Sequence, residues 1–527
     1  MSQSSRHWIA SLLVLAGCAG GTTSNVGAQT PAAGGAVAMD PGAARAAAET
    51  ITPDDVRRHI AYLASDELRG RNTPSPGLDK AAEYIAGVFG RLGLQPAGDA
   101  GGYIQRYALQ RRALVAEETR LAFTGPRGTE RLVYGTDFFV IPGASGPTRG
   151  DVVYGGPAAA AQPAQALQGR IVMYEVAAGA RPGTLEPAAT QARRMAEESG
   201  AAAVVFVLPS DFPADAIQRL AEFNTRAMGW QVGEPEGVTT YAVSSAAGQR
   251  ILALANGSAA AVRAGGTPSP LAGVRAEMAA PIRVVEEHLV PNVVAVLPGS
   301  DPELRDTYVV FSAHFDHVGV GRPNEAGDSI YNGADDNASG TSALLEVAEA
   351  FASLPTPPAR SLVFLAVSGE EKGLLGSQYY SDHPTVPIES IVANINVDMI
   401  GRNAPDSIVV IGQEYSSLGP LVLDVAAARP ELGLTVSRDL WPEQRFFFRS
   451  DHFNFARKEI PALFFFAGVH EDYHRPSDHV EKIDTDKATR VSRLIFYMAL
   501  EIATRPDAPQ WTEEGLAEVR ALTGGGR

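Results

Sequence analysis

Tyr308-Val309-Val310-Phe311-Ser312-Ala313-His314-Phe315-Asp316-His317 is the stretch on which the fold turns. Residues 308–312 read as a strand buried on both faces, and side chains able to bind a metal or carry a proton follow at once. The pattern recurs in the apolar runs 293–297, 362–367, 391–397, 408–411 and 462–466. Between them lie helical stretches, such as Leu344, Val347, Ala348 and Phe351 at i, i+3, i+4 and i+7. Apolar strands alternating with amphipathic helices predict an α/β protein with a mostly parallel central sheet and helices on both faces.

In an open α/β sheet, ligand sites form beyond the carboxyl ends of the strands. Each run here ends in suitable chemistry. Residues 308–312 lead to His314 and Asp316; residues 362–367 lead to Glu370-Glu371; residues 391–397 end at Asp398. Asp335-Asp336 precede the helix containing Leu344, and His474 with Asp478 follow the run 462–466. Singly, each has an ordinary reading: Asp335-Asp336 could cap a helix, and Glu370-Glu371 could be a solvated turn. Together they deliver imidazoles and carboxylates to one edge. Without thiolates that donor set favours zinc, with manganese or cobalt as substitutes. Two imidazoles and three carboxylates exceed one tetrahedral site and suit two ions sharing a bridging carboxylate. Of the pair Glu370-Glu371, one can bind metal while the other takes a proton from a water.

The rest of the chain bounds this reading. The sequence has 527 residues, 45% hydrophobic and 20% charged, which fits a globular protein of more than one domain. A formal net charge of -16 argues against binding nucleic acid. The region 143–279 also has α/β character, with apolar runs at 152–154, 171–174 and 203–208, and is rich in Ala and Gly. Thr52-Pro53-Asp54-Asp55 reads as a helix start. Cys18 is the only cysteine, so neither an intrachain disulfide nor a thiolate zinc site can form. It ends an export-signal pattern: Arg6 and His7, an apolar run 8–15, then Leu15-Ala16-Gly17-Cys18.

Ser312-Ala313-His314-Phe315-Asp316, Gly333-Ala334-Asp335-Asp336-Asn337-Ala338-Ser339-Gly340, Gly369-Glu370-Glu371, Val397-Asp398-Met399, Ser450-Asp451-His452 and His474 with Asp478 together resemble a known family. They are similar to the co-catalytic di-zinc aminopeptidases of the bacterial leucyl aminopeptidase type, in the superfamily of glutamate carboxypeptidase and the transferrin receptor. Leu63-Ala64-Ser65-Asp66-Glu67-Leu68 and Asn292-Val293-Val294-Ala295-Val296-Leu297-Pro298-Gly299 extend the likeness over most of the chain. The resemblance implies two zinc ions, one held by His314 and Asp398, the other by Glu371 and His474, with Asp336 as the bridge. It implies Glu370 as general base and Asp316 as the carboxylate that orients His314. His317, His452, His470 and His479 have no ligand position in the family pattern. Some relatives carry a tyrosine three residues before the Ser-Asp-His stretch; Phe447 stands there, so the oxyanion donor is unassigned.

The organisation expected is a lipoprotein-type signal peptide over 1–18, a flexible tether over 19–50, and a zinc peptidase domain over 51–142 and 280–508. A protease-associated insertion is expected over 143–279 and a tail over 509–527. Leu15-Ala16-Gly17-Cys18 resembles a bacterial lipobox, with Cys18 lipidated and the protein anchored in the cell envelope, on the periplasmic face of the outer membrane. The expected activity is hydrolysis of peptides or small proteins from the amino terminus by a water activated between two metals. The alternatives are a carboxypeptidase on the same scaffold, for which Arg402, Arg438, Arg445 or Arg449 could hold the substrate carboxylate, and a glutaminyl-cyclase-like enzyme using one zinc. A non-enzymatic receptor-like module would be expected to have lost ligands, and none is missing.

Overall fold

The computed structural model describes residues 40–144, 146–181, 187–235, 237–256, 259–264 and 268–523. Cys18, the export signal and the greater part of the expected tether lie outside the described residues.

Two sheets organise the chain. The first has nine strands, with Ile282–Leu297, Ser361–Val367, Tyr308–His314, Ile391–Val397, Ala462–Phe466, Ser407–Ile411 and Thr435–Ser437 side by side in that order. Its centre is parallel: Tyr308–His314 pairs in that sense with both Ser361–Val367 and Ile391–Val397, and Ile391–Val397 with Ala462–Phe466. The flanks are antiparallel, so the sheet is mixed and its parallel character is confined to the middle and one edge.

Both faces are covered, as period-two burial shows. Val309, Phe311 and Ala313 pack into one cluster with the helices Gly340–Ala352 and Thr485–Thr504, while Val310 packs into another with Tyr380 and Phe455. Phe364 and Phe311 stack across neighbouring strands, with ring centroids 5.1 Å apart and planes 9° from parallel. The parallel register aligns the strand ends: Ser312 lies opposite Asn396 and His314 opposite Val367. The loops carrying His314, Glu370-Glu371, Asp398 and His474 therefore leave the sheet at one edge.

The second sheet has eight strands and is built partly from residues before 143. Arg120–Gly125 pairs with Ser269–Ala279, and Phe138–Ile141 with Thr240–Val243. The expected boundary at 142/143 therefore falls inside this sheet. Pairings more than a hundred residues apart leave no mark on local periodicity, which is why the boundary was misplaced. The long strand Ile282–Leu297 belongs to the first sheet throughout, running antiparallel to Ile104–Leu114 over its first twelve residues and to Ser361–Val367 over Val293–Leu297.

Two segments expected to be loose are structured. Pro41–Thr50 is a helix capped by Asp40, whose Oδ1 accepts the Gly42 N–H at 3.1 Å. Its buried face is Ala44, Ala47 and Ala48, packed on the helices Gly340–Ala352 and Thr485–Thr504. Lack of large apolar residues suggested a tether, yet alanine is the best helix former and its small side chain allows close approach. The expected tail likewise forms the helix Glu513–Thr523. Trp511 donates from Nε1 to the Glu459 carbonyl at 2.6 Å, and Arg520 grips the Glu459 carboxylate with two 2.8 Å bonds.

Phe364 lies at the centre of this packing, fully buried between Phe311 and Phe89. Phe364→Ala should lower unfolding free energy by about 3–5 kcal/mol in urea titrations. A loss below about 1 kcal/mol would mean that the sheet collapses around the vacancy and is not held by this stack.

Candidate metal centre

His314 closes its strand with its imidazole buried. Its Nε2 lies 3.3 Å from Asp398 Oδ1 and 3.4 Å from Asp336 Oδ1. The second oxygen of Asp336 faces the other way, 3.0 Å from His474 Nε2 and 3.7 Å from His317 Nδ1. Glu371 Oε1 completes that side, 3.2 Å from His474 Nε2 and 2.9 Å from His317 Nδ1. Two donor groups result, His314–Asp336–Asp398 and His317–Asp336–Glu371–His474, and each takes a different oxygen of Asp336. Glu370 stands beside the first, with Oε2 4.0 Å from His314 Nε2.

All six residues expected at the centre, His314, Asp336, Glu370, Glu371, Asp398 and His474, are thus in one cluster. Asp316 serves differently from expectation. The nearer partner of His314 Nδ1 is the Asp316 backbone carbonyl at 3.2 Å, its carboxylate oxygen being 3.7 Å away. That carboxylate instead accepts from Thr73 Oγ1 at 2.8 Å and from the Glu370 N–H at 3.2 Å. It ties the His314 loop to the Glu370 loop, so two strand ends are held in register.

Four residues position the cluster, and of these Arg71 carries no sequence signal of its own. Asn337 accepts from Gly340 N–H and Met399 N–H and donates to the Val397 carbonyl, stitching the Asp336 turn to the strand before Asp398. Ser450 donates to Asp398 Oδ2 at 2.8 Å. Asp478 Oδ2 accepts the backbone N–H groups of Asp335 and Asp336 at 3.0 and 3.2 Å. Arg71 is fully buried and donates to the carbonyls of Leu63, Phe315, Asn332 and Gly333. Burial pulls Arg71 down to about 10, and Asp316 and Asp336 oppose that pull.

The electrostatics are those of buried anions short of cations. Burial pushes Glu370 well above the usual carboxylate range, with Glu371, Asp451 and Asp398 adding to the rise against His314. Burial also raises Asp398. Asp336 is held well below that range, because the nearby imidazoles outweigh its burial. Glu371 falls to about 2: burial and Asp336 raise it, but His317 and His474 prevail. Burial works against charge on His474, yet the close approach of the Asp336 and Glu371 carboxylates lifts it to about 10. His314 and His474 are drawn toward holding a proton between carboxylates, where a cation would serve equally.

A metal ion fits these donors. Around a tetrahedral ion with bonds of ~2.0 Å, neighbouring donor atoms lie about 3.3 Å apart. The separations above, from 2.9 to 3.7 Å, bracket that value. Glu371 Oε1 and both His317 nitrogens are buried and make no hydrogen bond among the described residues. Such orphaned donors are expected where an ion belongs.

The cleft over the first donor group is lined by Met399, Phe446, Arg449, Phe464, Phe466, Val469 and Tyr473. Of the three consecutive phenylalanines, Phe446 lines this cleft, whereas Phe447 is packed against Tyr415 and His452. Tyr473 stacks on His474 with centroids 3.9 Å apart. Burial and then Asp336, Glu371, Asp398 and Glu370 push its phenol far upward, so it remains a hydrogen-bond donor. Of the four candidate arginines, Arg449 lines the cleft, Arg402 is paired with Asp472 at 2.9 Å, and Arg438 and Arg445 border a separate pocket near Glu414.

Because Arg71 holds four carbonyls in three separate loops, Arg71→Met should cost at least about 3 kcal/mol of stability, read from chemical unfolding. A cost under about 1 kcal/mol would show that water replaces the guanidinium without loss.

Residues 292–499 match Peptidase family M28. A probable leucine aminopeptidase of Arthroderma benhamiae (strain ATCC MYA-4681 / CBS 112371) is 26% identical over 245 residues, 44% of this chain and 61% of that protein. Aminopeptidase YwaD of Bacillus subtilis (strain 168) is 26% identical over 215 residues, 38% of this chain and 42% of its own length. The chain thus spans less than two thirds of the length of these curated relatives. Among solved structures, the aminopeptidase from Aneurinibacillus sp. strain AM-1 aligns with 20% identity and a TM-score of 0.45, covering 89% of this chain and 97% of that one. The stretch 292–499 that matches Peptidase family M28 contains His314, Asp336, Glu370, Glu371, Asp398 and His474.

Proposed function

We propose that this chain is a zinc-dependent exopeptidase that removes amino acids from the amino terminus of peptides. One observation carries the reading: Asp336 offers its two carboxylate oxygens to two separate donor groups, 3.4 Å from His314 Nε2 on one side and 3.0 Å from His474 Nε2 on the other. The names of the relatives above support the same activity. His314, Asp336 and Asp398 would hold one zinc, and Asp336, Glu371 and His474 the other. Zinc bound there supplies a Lewis acid that polarises the scissile carbonyl and lowers the pKa of water.

The chain's own groups do the remaining work. Glu370, raised by burial and neighbouring carboxylates, is suited to take a proton from the attacking water and return it to the leaving amine. Tyr473, still protonated, can donate to the oxyanion, the role left open by Phe447. Phe446, Phe464, Phe466 and Met399 form an apolar wall for the substrate side chain. The surplus of carboxylates in the cleft favours a free α-ammonium group. Arg449 on the same cleft is the feature that would favour a carboxypeptidase. Aminoacyl-4-nitroanilides against N-blocked peptides, with and without chelator, separate the two. Turnover of N-blocked peptides alone would overturn the aminopeptidase reading.

The two adjacent glutamates should fail differently. Glu370→Gln should retain its metal while kcat falls about 10²–10⁴-fold. Glu371→Gln should lose or weaken one ion, with partial recovery on adding zinc. Metal analysis and steady-state kinetics decide the matter, and the opposite pattern would reverse the two roles.

We propose also that the eight-stranded sheet corresponds to a protease-associated insertion that shapes access to the cleft. Cys18 is proposed as a lipid-anchoring site in a bacterial envelope, on the strength of Leu15-Ala16-Gly17-Cys18. Cys18→Ser should move the protein from the membrane fraction to the soluble fraction at unchanged specific activity. Lipid labelling that persists in this variant would refute the anchor.

A further inference from the structure

His317 has no ligand position in the family pattern, yet its ring is the most enclosed of the imidazoles at the centre. The residue is fully buried, and neither ring nitrogen makes a hydrogen bond among the described residues. Its Nδ1 points at the two oxygens that His474 Nε2 also faces: Glu371 Oε1 at 2.9 Å and Asp336 Oδ2 at 3.7 Å, against 3.2 and 3.0 Å from His474. The two rings meet edge-on, 5.5 Å between centroids and 76° between planes, with His317 Nδ1 and His474 Nε2 both close to the same two oxygens. The backbone holds His317 in place, its N–H donating to the Arg71 carbonyl at 3.3 Å. Room for the ring is made by Gly333, with φ of +60°. A Cβ there would lie 2.6 Å from the ring's Cγ and Cδ2.

We infer that His317 is a fourth protein donor to the ion of the Asp336–Glu371–His474 site, which makes the two metal sites unequal. That site is closed, with two imidazoles and two carboxylates filling a tetrahedron. The His314–Asp336–Asp398 site has three protein donors and keeps one position for a water or a substrate oxygen. Closed four-donor sites hold zinc firmly and structurally, whereas three-donor sites are the ones that exchange ligands. The asymmetry places the substrate at the His314 side, where Glu370 stands and the apolar cleft opens. It also predicts that the two ions differ in affinity.

This inference rests on the di-metal reading, and the experiment separates the two. Purified full-length protein is stripped with chelator and titrated with zinc by calorimetry, and with cobalt(II) by visible absorption. Wild type should bind two ions, one tight and one weaker, the tight one with the intense absorption of four-coordinate cobalt. In His317→Ala the tight ion should weaken by roughly 10-fold or more and its cobalt bands should fade, while the weaker ion is little changed. Circular dichroism and unfolding of the metal-free variant should match metal-free wild type; a collapse of the metal-free fold would overturn the assignment in favour of a packing role. His317→Asn keeps a group able to hydrogen-bond Glu371 but lacks the imidazole. If Asn restores the tight ion, His317 only orients Glu371 and the inference fails. Two unchanged ions in His317→Ala also refute it. A wild type that binds no metal refutes the di-metal reading itself.

Discussion

Everything at this centre depends on a single buried carboxylate, Asp336, whose two oxygens are committed in opposite directions. Few arrangements keep a carboxylate there in the company of Glu370, Glu371, Asp398 and Asp316. Burying like charges together is costly unless positive charge enters with them. Among the described residues Arg71 is the one fully buried guanidinium that bears on the cluster, and its hydrogen bonds go to backbone carbonyls and not to the carboxylates. His314 and His474 respond by favouring their protonated forms. Two divalent ions would relieve the same imbalance with better geometry.

The fold's task is to hold loops from four strand ends within bonding reach of that carboxylate. Parallel register delivers His314, Glu370 and Asp398 to one edge. Register alone leaves the loops free to drift, and the chain pins them with hydrogen bonds to backbone groups. Asp478 clamps the turn at Asp335-Asp336, Asn337 joins that turn to the Asp398 strand, and Arg71 draws the His314 and Asn332 loops onto the segment after Leu63. Held in this way, the donors are fixed relative to one another, so little reorganisation would oppose the binding of an ion.

The sequence made legible what is local. Strand runs and the candidate imidazoles and carboxylates just beyond them follow from apolar patterning, and the family resemblance picks the six clustered side chains out of those candidates. Non-local contributions were hidden. Arg71 lies 244 residues from the Phe315 carbonyl that it binds, and nothing around it marks it as part of a site. His317 was visible as a residue but not as a donor, because its importance lies in sharing two oxygens with His474. The alanine face of Pro41–Thr50 is the opposite case, since small side chains give no apolar signal yet pack closely. The strands at 120–141 were assigned to the wrong unit because their partners lie beyond residue 239.

The most direct test of the account is a crystal structure of zinc-loaded protein with anomalous scattering recorded on both sides of the zinc absorption edge. The account predicts two anomalous peaks roughly 3.5–4 Å apart, on opposite sides of the Asp336 carboxylate, one among His314 and Asp398 and the other among Glu371 and His474. A single peak, or density that leaves Asp336 bonded only to protonated histidines, would contradict it.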